Sequence, residues 1–174
     1  EGILAASATE RAESRNYTRV FGRDAAICVP GMVLSGDAEL IDGAKRSLQS
    51  LAEHQAENGQ IPKYIDPRNE DADFWYVGCI DATLWWLIAM DFLGRHGESE
   101  FFRSLEPQVD QALNWLHCQE HPRLHLLQQN EASDWADIMP RSGFVLYTNA
   151  LWYYVQVRYG LRHGEETKYH FNHL

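Results

Sequence analysis

Apolar positions in this chain fall into blocks of two alternating kinds. One kind is apolar on nearly every side; the other carries a single apolar stripe among charged residues. Residues 17–36 open with a β-favouring patch and a turn at Gly22, then pass into an apolar helix with Asp24 near its first turn. An acid there meets unpaired N–H groups and the positive end of the helix dipole. Pro30 predicts a kink, because it removes one backbone donor, and Gly36 ends the run. Residues 37–57 predict an amphipathic helix with the stripe Leu40, Ile41, Ala44, Leu48, Leu51 and Ala52, stopped by a left-handed cap at Asn58-Gly59. A loop with two prolines and an acidic cluster follows over residues 60–76.

The alternation then repeats. Residues 78–93 are apolar almost all round, yet shorter than the ~20 residues a bilayer span needs, and they predict a buried helix. Residues 98–120 predict an amphipathic helix through Phe102, Leu105, Val109, Leu113 and Leu116. A third apolar run, residues 144–159, predicts a helix buried on most of its circumference, with a partner starting near Gly160. Hairpins that pair a buried helix with a half-exposed one imply an all-α fold in two layers, with loops gathered at one end. The units differ in sequence, so this is no consensus-repeat solenoid. Residues 1–16 read as an entry segment and residues 164–174 as a polar, solvated tail.

Composition narrows the function. A length of 174 residues with 45% hydrophobic content suits one domain with a real core. Six Trp and eight Tyr serve such a core, and are also the residues that stack on sugar rings. A net charge of −10 has the wrong sign for a nucleic-acid partner or an anionic membrane surface, and leaves neutral or cationic small molecules. Cys28, Cys79 and Cys118 form neither an even framework nor a CxxC pair. They are expected as buried thiols in a reducing, cytoplasmic setting. The chain opens on Glu1 with no secretory leader, and is expected to be trimmed, processed or part of something longer.

The chemistry concentrates in DWADIMPRSGFVLYTNALWYY, residues 134–154. Asp134 and Asp137 flank Trp135 on a loop leading into the third apolar helix. A carboxylate desolvated against an indole can hold its proton at neutral pH, as a general acid must. The alternative is structural: either aspartate caps a helix or pairs with Arg141. His117, His121 and His125 are four apart, but Pro122 interrupts any shared helix and no acidic ligand is in step, so no metal is expected. No phosphate-binding loop and no Ser-centred elbow occurs. Glu70, Asp71 and Asp73 lack the spacing of a calcium loop.

These blocks, taken in order, resemble a known family. VFGRD (20–24) followed by PGMVLSG (30–36) resembles the "W/F-G-R-D…PG-L-L" opening of the amylo-α-1,6-glucosidase domains of glycogen-debranching enzymes. NGQIPKY (58–64) is similar to their "NGLIPN" loop, IDATLWWLIAM (80–90) to their "VDATLWF" helix, and residues 134–154 to "W-M-D-A…VEVNALWY". Neutral invertases carry a looser version of the series. The resemblance implies an (α/α)6 toroid that hydrolyses α-glucosides without metal or organic cofactor. Asp137 would be the general acid. Arg23 and Asp24 would hold sugar hydroxyls, with Asp81, Trp85, Asp134 and Trp135 near that subsite, and Asn149 matches the asparagine of the last block. Where the family often has Glu before "VNALW", this chain has Leu146, Tyr147 and Thr148. Twelve helices need more chain than this, so residues 17–163 would be the N-terminal half of the barrel, with the second carboxylate outside it. A non-catalytic sugar-binding or scaffold protein built on a degenerate half-barrel is the alternative. Open apolar edges would favour a homodimer or a complex with the other half.

Overall fold

The computed structural model describes residues 2–74 and 79–173. Along these the chain forms α1 (Glu10–Ser14), β1 (Val20–Phe21), α2 (Gly22–Leu34), α3 (Ala38–Glu53), β2 (Tyr64–Asp66), β3 (Asp71–Asp73), α4 (Ile80–Arg95), α5 (Ser99–Ser104), α6 (Glu106–His117), α7 (Leu146–Arg158) and α8 (Gly164–His173). The apolar helices α2, α4 and α7 pack side by side as an inner layer, with α4 in the middle. Outside them, α3 covers α2, α5 and α6 cover α4, and α8 covers α7. The fold is an all-α partial barrel of three helical hairpins. Among the described residues, no helix is long and apolar enough to cross a membrane.

Side-chain bonds show that the inner helices run in one direction. Arg23 and Tyr147, from the first turns of α2 and α7, both reach Asp81 in the first turn of α4. At the opposite end of α4 and α7, Arg158 Nε donates to Asp91 Oδ2 at 3.0 Å and the Tyr159 hydroxyl to the Leu87 carbonyl oxygen at 2.7 Å. Three helix N-termini therefore meet at one end of the arc.

Local sequence accounts for most of these elements. Asp37 caps α3, its Oδ1 accepting from the Glu39 and Leu40 amides at 2.9 and 3.1 Å. The buried stripe of α3 is Ala44, Ser47, Leu48, Leu51 and Ala52, while Leu40 lies exposed. The helix stops at Glu53 with His54 as its cap, before the expected Asn58-Gly59. Gly59 is left-handed for another reason: a Cβ there would lie 2.1 Å from the Gln111 carbonyl oxygen of α6. Trp86 pins α4 to α3 through its indole N–H, which donates to the Leu48 carbonyl oxygen at 3.0 Å.

Several expectations need correction. Residues 98–120 form two helices because the chain breaks at Leu105, and Pro107 then takes the first turn of α6, where its missing N–H costs nothing. The expected loop contains β2 and β3, which join β1 in an antiparallel sheet with Val20 opposite Ile65 and Ile65 opposite Ala72. Residues 75–76 of that loop and Gly78, at the start of the second apolar block, lie outside the described residues. The polar tail is largely exposed and is ordered as the helix α8, which the buried Thr167 anchors through its hydroxyl, donating to the His125 carbonyl oxygen at 2.7 Å. Helix α7 is buried on one side only, and leaves Leu146, Tyr154 and Val157 exposed, because its cover comes from α4 and α8. Among the thiols Cys79 is buried, but Cys28 and Cys118 are exposed on outward positions of α2 and at the end of α6.

Candidate active site

The end of the arc where α2, α4 and α7 begin carries most of the residues singled out by sequence. Gly22 sets the entry to α2. Its amide donates to the Lys63 carbonyl oxygen at 2.8 Å, an approach that needs a residue without a Cβ. This bond clamps the start of α2 to the Ile61-Pro62-Lys63 segment. Arg23 then projects into the inner face, with Nη2 on Asp24 Oδ2 at 3.1 Å and Nη1 on Asp81 Oδ2 at 3.4 Å. The two carboxylates differ in setting: the Asp24 side chain is 47% exposed and that of Asp81 is wholly buried.

Asp81 is the carboxylate whose acidity the fold changes most usefully. Burial, joined by the nearby charge of Asp134, pushes it up to about 6, against the opposing pull of Arg23 and Tyr147. Its Oδ1 is buried with no hydrogen-bond partner among the described residues, while Oδ2 takes both Arg23 and the Tyr147 hydroxyl, the latter at 3.2 Å. Tyr147 in turn accepts from the Trp85 indole N–H at 2.9 Å. Burial and Asp81 raise the Tyr147 phenol above its usual range. For Arg23, burial opposes the charged form, yet Asp81 and Asp24 more than offset it and the guanidinium is held above its ordinary value.

The loop of residues 128–143 closes one side, tied to the start of α4 by the Ile80 amide, which donates to the Ser133 carbonyl oxygen at 2.8 Å. Asp134 is buried and saturated. It accepts from Gln129 Nε2 at 2.9 Å, Arg141 Nη2 at 2.6 Å and the Ala136 amide at 2.8 Å. Burial raises its pKa, but these donors win and hold it below the ordinary carboxylate value. The structural alternative, pairing with Arg141, is thus what Asp134 adopts. Asp137 points elsewhere, with its side chain 40% exposed and Oδ2 at 3.2 Å from Lys63 Nζ. Trp135 faces outward at 55% exposure, with the Arg141 guanidinium 5.5 Å from its ring centroid. The carboxylate that burial shifts upward is therefore Asp81 on α4, and the indole bonded into its network belongs to Trp85.

The fold brings Arg23, Asp24, Asp81 and Trp85 into one bonded cluster, with Asp134, Trp135 and Asp137 on the adjoining loop. Asn149 stands apart. It is buried, and its amide bonds the Leu127 N–H at 2.7 Å and the Leu127 and Val145 carbonyl oxygens at 3.1 Å each, pinning the strap before the loop to α7. Two residues of the cluster escaped the sequence reading. Tyr147 sits within the departure from "VEVNALWY", and Lys63 within the NGQIPKY block; those positions were their only signal. Asp71 and Asp73 line a separate groove of about 330 Å³ with Arg19, Tyr64 and Asp66. His117 and His125 both approach Glu120, at 3.7 and 2.8 Å.

Parallel inner helices with carboxylates, a guanidinium and indoles at their shared N-terminal end define a helical-hairpin protein with a candidate site at that end. The chain belongs to the amylo-α-1,6-glucosidase family, whose sequence profile matches residues 11–168. No curated protein matches it. Membership brings a glycoside-hydrolase-like function with it.

Proposed function

We propose that residues 17–163 are part of a catalytic domain acting on α-glucosidic bonds of an oligo- or polysaccharide, with Asp137 as general acid. The observation that carries this reading is the meeting of Arg23, Asp24, Asp81 and Trp85 at the open end of the inner helices, beside the loop that bears Asp137. Arg23 and the exposed Asp24 offer a donor and an acceptor to sugar hydroxyls, and Trp85 and Trp135 offer ring faces. Asp137 would protonate the glycosidic oxygen. A second carboxylate from outside this chain would act on the opposite side of the bond, about 6.5–9.5 Å away if the anomeric centre inverts.

Exposed Ile27 and Leu34 on α2, and Leu146 and Val157 on α7, support association of the two open edges with a second copy or a complementary half-barrel. The test of the reaction is sugar release from a panel of α-glucosides by the chain and by Asp137→Asn. Release that falls by ~100-fold or more in the variant supports the acid role; equal release by both forms removes it.

One observation favours a second reading, a sugar-binding protein without turnover. Asp137 meets Lys63 at 3.2 Å, and a carboxylate engaged by an ammonium acts as an acceptor. Under that reading maltooligosaccharides bind, and neither form releases glucose.

A further inference from the structure

The bonded path from Arg23 to Trp85 runs through Tyr147, a residue that the family resemblance gives no role. Its hydroxyl is the middle link: it donates to Asp81 Oδ2 at 3.2 Å and accepts from Trp85 Nε1 at 2.9 Å. Asp81 and Trp85 are four residues apart on one face of α4, and Tyr147 reaches both from the first turn of α7. Both links lie in the partly buried interior, where a donor or acceptor stripped of its partner is expensive. Without the phenol oxygen, the indole N–H would lose its acceptor and the Asp81 oxygen one of its two donors. The stretch is the one where the family pattern carries glutamate. A carboxylate placed so close to buried Asp81 would repel it, whereas a phenol supplies a neutral donor.

We propose that Tyr147 is a positioning residue of the sugar site, whose hydroxyl locks the Trp85 indole to the Asp81 carboxyl so that the ring wall and the Arg23–Asp24 pair are held as one unit. This rests on the reading of the cluster as a sugar site. The charge on Asp81 is set by burial, by Arg23 on α2 with Asp24 beside it, by Asp134 on the loop and by Tyr147 on α7, while burial and Asp81 raise the Cys79 thiol just before α4, with Lys63 near it. Through the phenol, a change in the Asp81 charge alters the hydrogen bond that the indole N–H makes.

The test follows the indole N–H signal of Trp85, assigned with Trp85→Phe, in ¹⁵N-labelled full chain between about pH 4.5 and 8, the range over which Asp81 changes charge. The signal should titrate with a midpoint near the value of about 6 set for Asp81. It should lose that step in Tyr147→Phe, and equally in Asp81→Asn with the phenol in place. Maltotriose added to the same samples should bind Tyr147→Phe about tenfold more weakly, the worth of one hydrogen bond to a charged group. An indole titration in Tyr147→Phe identical to that of the parent chain, with maltotriose still bound, overturns the link through the phenol alone. Absence of maltotriose binding by the parent chain overturns the sugar-site reading and the positioning role with it.

Discussion

The amide of Gly22 donates to the Lys63 carbonyl oxygen at 2.8 Å, and a Cβ on Gly22 would stand 2.4 Å from the Pro62 carbonyl oxygen. That approach fixes where α2 begins relative to the segment that carries Lys63. Gly22→Ala should push the two backbones apart, lower stability by about 1–3 kcal/mol, and weaken sugar binding by moving Arg23. Urea unfolding and a maltooligosaccharide titration measure the two effects.

Asp134 holds its loop with three hydrogen bonds from a buried position. Its pKa is lower in the folded chain than in the unfolded one, so its contribution is fully present above the unfolded value near 4 and lost as pH falls through the lower folded value. Asp134→Ala strands the Arg141 and Gln129 donors. It should cost about 3–5 kcal/mol, read as a lower melting temperature at pH 7 and a smaller loss on acidification below about pH 4.

Asp81 works in the opposite sense. Its folded value of about 6 lies above the unfolded one, so the folded chain binds the extra proton and gains stability at low pH. That stability is complete below about pH 4 and lost as pH rises through about 6. Denaturant unfolding at pH 4.5 and pH 7.5 should differ by on the order of 2 kcal/mol from this group. The difference should shrink in Asp81→Asn.

Asn149 and Trp135 separate structure from recognition. Asn149→Ala removes three hydrogen bonds, two of them buried, and should destabilise by about 1–3 kcal/mol. Trp135→Ala, at a residue 55% exposed, should change the melting point little, within about 0.5 kcal/mol, while reducing sugar affinity. Thermal melts paired with sugar titrations distinguish the two. A large melt shift at Trp135 together with unchanged affinity would place it in the scaffold.

Much of the architecture was legible because it is local. The stripe Ala44, Leu48, Leu51 and Ala52, the helix start at Asp37 and the all-round apolar run of α4 each follow from residues within a turn or two of one another. The strands β2 and β3 were not legible, since three-residue segments carry too little period, and β2 forms here by pairing with β3 on one side and with β1, more than forty residues away, on the other. The exposure of α7 escaped for a related reason. An apolar run shows what a helix can bury, and the neighbours present decide what it does bury.

By itself the sequence determined the family, the alternation of apolar and amphipathic helices, and which residue types stand at the first turns of the inner ones, because spacing and capping act along the chain. Only the tertiary structure decided which carboxylate is buried and which is paired. Arg23 and Asp81 are 58 residues apart, Asp81 and Tyr147 66, and Lys63 and Asp137 74. Desolvation and charge pairing depend on distance in space, and packing of α2, α4 and α7 is what makes those distances short.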